Sequence, residues 1–532
     1  MAKLSWSALT CLLIAILAIF TLLNWHRFPF FVDIYYHLNV MRGFDAAGGV
    51  VGRAFWELAP GGNTHIYPPL LHLLLLIPFK AGIDIMSIAR FFSVSSFVIL
   101  LAVLCFVIGR LFSKKTAFFV VLASSIPYTF FLKSTITIPV TISLILILLA
   151  YYALETDRKI ACPVFLSLSF YTHLGMPWLG LLAFIIYGLI DRRVLKKASA
   201  SVLLALIIAL PVIINILANI GKLENVLGVM VTENRLFELY PLIYLFAAIG
   251  IAGLRDPSTR KRCAFFIALM LAMLPMAINY RFRLLSGEGM LPVLFFTGLG
   301  MEKVQERLQN ILEKLKFRPP LMSASMLSAL VLICAFSPTI SLYSTATPGE
   351  RKFELFVRDS TLDNLSTVYK KHIRPFEICL VDDEAKDWAK IIEKNTAPDD
   401  IILSNWAYMG GVLSALTGRP NSAQLFYEVK RPSEDINEFA AAKLAVFLRE
   451  TDGNFDTEAL KKAQDKYGYR IISQTPNAFI LLKGGSYKAR VPKAAVRTGM
   501  AFLMLFLMIA AVVYDFVRPR KIFNNLSRSS LE

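Results

Sequence analysis

WHRFPFFVDIYYHLNVMRGFDAAGGVVGRAFWELAPGGNTHIYPPLLHLLLLIPFK, residues 25–80, is the stretch whose reading decides the fold. It follows the first apolar run, and Asp33, His37, Glu57 and His65 stand in it among aromatics before Tyr67-Pro68-Pro69 leads back into Leu-rich sequence. The segment YPPLLHLLLLIPFK (67–80) is short for a membrane span, carries His72 and has proline at both ends, which suits a re-entrant or interfacial helix. If it crossed, most later basic clusters would change sides. The loop therefore reads as a long floor on one side of a bilayer, far richer than a connector needs to be.

Composition agrees with a polytopic α-helical membrane protein. The chain has 532 residues, 56% hydrophobic, a mean hydropathy of +0.58, and recurring apolar runs of about 20 residues, the length a spanning helix needs. The formal net charge of +18 does not point to nucleic acid, because the basic residues sit in short clusters between apolar runs, as in cytoplasmic loops. The six cysteines show no CxxC or metal-type spacing, and Cys379 is alone in the polar region. No P-loop or glycine-rich phosphate cradle occurs, so any chemistry works without a cytosolic nucleotide.

The basic clusters set a topology. Lys3 precedes a helix at about 8–24, read as a retained first span because no small-residue cleavage site follows it. Lys114-Lys115, Arg158-Lys159, Arg192-Arg193, Arg260-Lys261-Arg262, the Lys303–Arg318 segment and Arg518–Lys521 all fall inside with further helices at about 90–111, 116–133, 137–154, 160–175, 177–190, 199–219, 239–254, 263–279, 288–301, 321–341 and 496–516. That makes about twelve spans. Three regions follow: 1–341, a transmembrane domain whose first outer loop is 25–89; 342–495, a small extracytoplasmic α/β domain; and 496–532, a final span with a basic cytoplasmic tail. In the α/β domain the expected helices are about 383–395, 406–417 (stopped by Gly418) and 456–467, and the strands DDIILSN, AVFLRE, YRIISQ and AFILLK. KVQERLQNILEKLK, near 303–316, is expected to lie along the inner membrane surface.

On this map few polar groups lie outside. Asp33 and His37, four residues apart, share a face if the loop is helical there. A carboxylate flanked by Phe30, Phe31, Tyr35 and Tyr36 is partly desolvated, which raises its basicity. Arg281 and Arg283 sit at an outer helix end, where arginine can pair bidentately with a lipid-linked phosphate or simply snorkel to the surface. Lys133 is a further phosphate candidate and Arg235 a lesser one. His173 is a lone histidine at a helix end.

DIYYHLNVMRGF, followed by YPPLLHLLL, resembles the first outer loop of the GT-C superfamily of membrane glycosyltransferases, which take sugars from polyprenyl-phosphate or polyprenyl-diphosphate carriers. The Asp-x-Tyr-Tyr-His form is most similar to archaeal and bacterial oligosaccharyltransferase catalytic subunits, and the PPL element also occurs in polyprenyl-phosphate-sugar-dependent mannosyltransferases. The resemblance places Asp33 at the catalytic centre. VTENR (231–235) is similar to the short motif with which oligosaccharyltransferases contact the acceptor, which implies that role for Glu233. SNWAYMGG occupies the place of the Trp-Trp-Asp-Tyr-Gly acceptor motif and keeps Trp406 and Tyr408, but has Ala407 where the family has Asp. His65, Tyr67 and Arg235 join these on the acceptor side. A second departure is in KSTITIPVT (133–141), where the family supplies another carboxylate and this chain has Thr135 and Thr137.

The expected function is a membrane glycosyltransferase transferring a sugar from a polyprenyl-phosphate-linked donor to an extracytoplasmic acceptor (protein, lipid or glycan), in contact with membrane lipids and with no nucleic acid. Asp33 would act as base, with His37 in support, and Arg281, Arg283 and Lys133 would hold the phosphate. The cofactor left open is a divalent cation, magnesium or manganese, with Asp33 the only ligand candidate; one carboxylate is a poor site for either. Two alternatives stand: an oligosaccharyltransferase using a diphosphate-linked glycan, and a polyprenyl-linked glycan flippase or transporter.

Overall fold

The computed structural model describes residues 5–29, 32–224, 235–279, 281–314, 338–347, 350–360, 381, 383–426, 429–432, 437–449, 454–485 and 487–518. Among the described residues six helical stretches are long and apolar enough to cross a membrane: Trp6–Leu23, Ile85–Leu111, Ile138–Glu155, Arg192–Ala218, Arg283–Ile311 and Thr498–Val517. The pair Lys114–Ser125 and Tyr128–Ile136, bent by 83° at Pro127, makes a seventh if it is one span. A proline at the junction removes a backbone donor, so the helix cannot run straight through. Outward side chains of the end helices are large and apolar, such as Ile19 at 56% and Phe506 at 66% exposure, the surface expected of a membrane-embedded protein.

The reading of about twelve spans exceeds this number. Helices Ala161–Phe170, Met176–Ile190, Pro241–Ala252 and Ala264–Met273 lie inside runs read as spans. Each is shorter than the roughly 20 residues that cross a bilayer, and Pro177 and Pro241 open two of them at the first turn. Most of the 321–341 run lies outside the described residues. Its end is not helical, since Pro338–Thr347 is a strand pairing antiparallel with both Arg235–Leu239 and Glu350–Ser360. The 303–316 segment is not a separate surface helix either: helix Leu291–Lys314 runs through it unbroken.

The bundle has two chemically distinct ends. At one, Lys115 pairs with Glu306 at 2.8 Å, Lys197 with Asp157 at 2.7 Å, and Thr116 donates to Glu302 at 2.8 Å. Asp515, on the last helix, accepts from the backbone N–H groups of Ile160 and Ala161, the open first turn of helix Ala161–Phe170. The basic clusters near 115, 158 and 197 thus gather together. Helix Ile138–Glu155, 18 residues and so about 27 Å long, separates this end from the other, where the first loop lies.

In that loop, Asp33–Ala47 is a helix closed by Gly48 at φ 71°, and Leu70–Lys80 is an 11-residue helix with Pro78 inside it. At 1.5 Å per residue the second is about 16 Å long, half a bilayer core. Between them Arg53–Ala54 pairs with Asn63–Thr64, and Gly49–Val50 pairs with Val496–Arg497 at the root of the final helix. Gly43 is required by packing, because a Cβ there would come within 2.2 Å of the Trp56 ring.

Above the loop sits a four-stranded sheet in the order Ile402–Ser404, Leu444–Leu448, Ala478–Leu482, Arg470–Gln474, the first pair parallel and the others antiparallel. Helices Asp383–Asn395, Ala407–Thr417 and Thr457–Tyr467 accompany it. These elements fall within a few residues of the expected ones, and Gly418, at φ 73°, ends its helix. One apolar core joins sheet and loop: Tyr35, Leu38 and Met41 pack with Leu71 and Leu75, and with Trp388, Val412, Leu413 and Ile480. Polar clasps reinforce it. The Glu57 carboxylate accepts from the backbone N–H groups of Leu425 and Phe426 at 2.7 and 2.8 Å, and Asn39 donates to the Gly411 carbonyl at 2.9 Å.

Candidate active site

Asp33 opens its helix, where the positive end of the backbone dipole favours a carboxylate. It is half-buried. Burial raises its pKa to about 6, against the opposing pull of Lys133 and Arg283, with Glu288 adding to the rise. At neutral pH it is therefore largely ionised yet more basic than an ordinary carboxylate.

Each of the other groups is placed by a chain break. Lys133 lies in the short helix after the 83° bend. Arg283 lies in the one-turn helix Arg281–Ser286, and Glu288 in the turn that starts helix Leu291–Lys314. Glu288 is 1% exposed. Arg283, Lys133 and the Thr137 hydroxyl act on its carboxylate. Thr137 Oγ1 is 2.6 Å from Glu288 Oε1 and 2.8 Å from the Lys133 carbonyl. A hydroxyl has one proton, and the ionised carboxylate is the stronger acceptor. The result is two carboxylates and two cations within electrostatic reach of one another at the first-loop end of the bundle.

Beside this group lies a layer of rings. His37 Nδ1 and His72 Nε2 are 3.0 Å apart, and Tyr67 meets the His37, His173 and Phe426 rings at centroid distances of 5.0, 6.3 and 5.5 Å. Tyr36 stacks on Phe426 at 5.0 Å. His173 Nδ1 accepts from the N–H groups of Gly175 and Met176, capping the next helix. Burial holds His37, His65 and His173 neutral, with pKa values lowered to about 3; the imidazoles of His173 and His65 add to this for His37 and Arg283 adds to it for His173, and burial likewise holds His72 well below its ordinary value.

Of the residues chosen from sequence, Asp33, Lys133 and Arg283 come together, with His37 and Tyr67 alongside. His65 is 3% exposed, ringed by Phe44, Trp56 and His72. Trp406 packs partly buried on the shared core, and Tyr408 is 49% exposed. Glu233 and the side chains of Arg235 and Arg281 lie outside the described residues. The sequence map places Glu288 with Arg281 and Arg283 in the outer NYRFRLLSGEG turn but gives it no role in the site. The available signal was an acid between two glycines at the head of an apolar run, in SGEGMLPV.

Among the described residues no three His, Cys, Asp or Glu side chains converge as a metal site. Among the described residues Asp33 and Glu288 lie within electrostatic reach of Lys133 and Arg283, a smaller and more positive donor set than the six or more oxygens that a divalent cation such as magnesium takes.

No protein-family model matches the sequence, and no curated protein matches it. Solved structures do match in fold. ArnT from Cupriavidus metallidurans in the apo state superposes with a TM-score of 0.50 at 13% identity, covering 88% of this chain and 97% of that one. The apo oligosaccharyltransferase of Archaeoglobus fulgidus gives 0.52 at 11% identity, covering 82% and 67%. ArnT bound to undecaprenyl phosphate is also matched, at 0.49 and 12% identity, covering 88% and 97%. The chain thus has the GT-C-like fold that its first loop resembles.

Proposed function

We propose that this protein is a membrane glycosyltransferase that moves a sugar from a polyprenyl-phosphate-linked donor to an acceptor outside the cytoplasm. The observation that carries the reading is the meeting of Asp33 with Lys133, Arg283 and Glu288 at the end of the bundle opposite the gathered basic loops. The positive-inside rule assigns those basic loops to the cytoplasm. The site then faces out, beneath the small α/β domain of residues 342–495.

In this mechanism Asp33 takes the proton from the acceptor's hydroxyl or amide as that atom attacks the sugar's anomeric carbon. The bond from that carbon to the phosphate oxygen breaks, and its electron pair leaves with the polyprenyl phosphate. Lys133 and Arg283, with Arg281 beside them in sequence, stabilise the charge that develops there, an effect worth far more in a poorly hydrated site than in water. Glu288 and Thr137 position the two cations. His37, neutral at working pH, packs between His72 and Tyr67 and orients the helix that carries Asp33. Trp406, Tyr408, Glu233 and Arg235 belong to the acceptor side.

The test is transfer from labelled polyprenyl-phosphate sugars in proteoliposomes. Asp33→Asn is expected to lower it by about 100-fold or more, the usual range for removing a general base. Unchanged transfer at normal expression would overturn the assignment. Parallel assays with diphosphate-linked glycans and a sequon peptide distinguish an oligosaccharyltransferase.

A further inference from the structure

A second polar feature lies away from the Asp33 group. Between the hairpin Arg53–Ala54/Asn63–Thr64, the turn at Gly221-Lys222 and the segment 429–432 is an open cavity of about 560 Å³. The charged side chains among its described lining are Arg53, Lys222, Lys430 and Arg431, with no carboxylate. Three elements distant in sequence supply them, and backbone pairing fixes their approach, since Lys430 N–H donates to the Lys222 carbonyl at 2.8 Å.

The heads of Arg53, Lys222 and Lys430 are oriented by uncharged oxygens, whereas Arg431 meets a carboxylate. Arg53 donates to the Gly61 carbonyl, Lys222 to Thr64 Oγ1 at 3.1 Å, and Lys430 to the Gly221 carbonyl at 3.2 Å. Arg431 pairs with Glu438 at 2.8 Å. A separate observation points the same way. Asn63, 5% exposed, is among the lining residues; its buried amide Nδ2 has no hydrogen-bond partner among the described residues, while its Oδ1 accepts from Thr64 N–H. Gly52 and Gly221 have nothing within 4 Å of where a Cβ would lie, so a ligand can approach their backbone. The cavity offers donors and positive charge, the complement of an anion.

We propose that this cleft binds the anionic group of the acceptor, a carboxylate or a phosphate. Only the word acceptor rests on the glycosyltransferase reading; anion binding stands apart from it. The link between cleft and candidate site is short in the chain. Thr64 on the cleft wall is three residues from Tyr67, and Lys430 is four from Phe426, the two rings that meet beside His37. An acceptor anchored by its anion would extend across this ring layer, and remote binding would serve to orient the reacting group.

The full-length protein in zwitterionic phosphatidylcholine nanodiscs, without donor, is titrated calorimetrically with trigalacturonate, glucose 1-phosphate and neutral maltotriose. At least one anionic probe is expected to bind and to weaken in 0.5 M NaCl, as exposed charge pairing does. Affinity should fall about tenfold in Arg53→Gln/Lys222→Gln/Lys430→Gln, and less in Lys430→Gln alone, which guards against misfolding of the triple variant. Preference between the two anions assigns carboxylate or phosphate. Failure of both to bind, equal binding of maltotriose, or undiminished affinity in a folded triple variant overturns the proposal. Asp33→Asn should bind the probes as the wild type does, and a wild-type protein that binds them but transfers no sugar refutes the transferase reading alone.

Discussion

Thr137 donates its hydroxyl to Glu288, 2.6 Å away in space and 151 residues further along the chain. The 133–141 turn lacks an acid of its own, and this contact brings one to it. Removing the hydroxyl by Thr137→Val leaves a buried carboxylate oxygen without a partner, at a cost of about 1–3 kcal/mol. Thermal unfolding in detergent should show it, and Thr137→Ser should restore most of the loss.

Glu288→Gln separates positioning from proton transfer. Glu288 pushes the Asp33 pKa upward, so its neutralisation should move the acid limb of the transfer-rate profile below pH 6, besides lowering the rate. A purely structural Glu288 would lower yield and leave that limb in place. The pH profile of purified protein decides between them.

Asp33 should oppose stability where it serves function. Its folded pKa of about 6 lies above the ordinary 3.8, so the folded state holds the proton more tightly. That contribution is present at low pH and is lost as pH rises through 6. Asp33→Asn is therefore expected to raise the melting temperature at pH 7.5 by a few degrees while transfer collapses, with little change at pH 4. Equal melting curves at pH 7.5 would contradict the burial assigned to Asp33.

The buried imidazoles act with the opposite sign. Burial lowers the folded pKa of His37, His65 and His173 to about 3, against 6.5 ordinarily, and holds His72 well below that ordinary value. Unfolded chains take up these protons as pH falls below 6.5 and folded ones do not, so stability drops across pH 6.5 to 4 and outweighs the single proton gained at Asp33. His65, with both ring nitrogens unpartnered, is the cleanest probe: His65→Leu should reduce the slope of stability against pH by about one proton.

Glu57 clasps the loop to the sheet through two charge-assisted bonds. Glu57→Ala is expected to cost about 2–5 kcal/mol and to open the 421–426 segment to protease in limited digestion, whereas Glu57→Gln, which keeps an acceptor, should cost less.

Much of this was legible before any coordinates. Alternation of apolar runs with basic clusters marks a membrane protein, because the bilayer demands long apolar helices and the charge rule orients their loops. The Asp33 motif, the proline-bounded helix after it, the strands near 402, 444, 470 and 478 and the Gly418 stop were all readable, since period, caps and turn residues are local signals. The span count was not. Apolar runs such as 160–175 break into helices of 10 residues, and hydropathy does not register where a helix stops. Strand pairing at 338–347 was equally hidden, because its partners lie elsewhere in the chain.

The site divides in the same way. Residue type and neighbours alone pick out Asp33 beside aromatics, and the charge map alone brings Lys133 and Arg283 to its side. Only the tertiary structure decided that Glu288 joins them, that His37 meets His72 rather than standing free, and that Glu57 and His65 serve the packing of the first loop. Those outcomes depend on which side chains share a buried space. Burial and close charges alter a carboxylate or an imidazole far more than its sequence neighbours do.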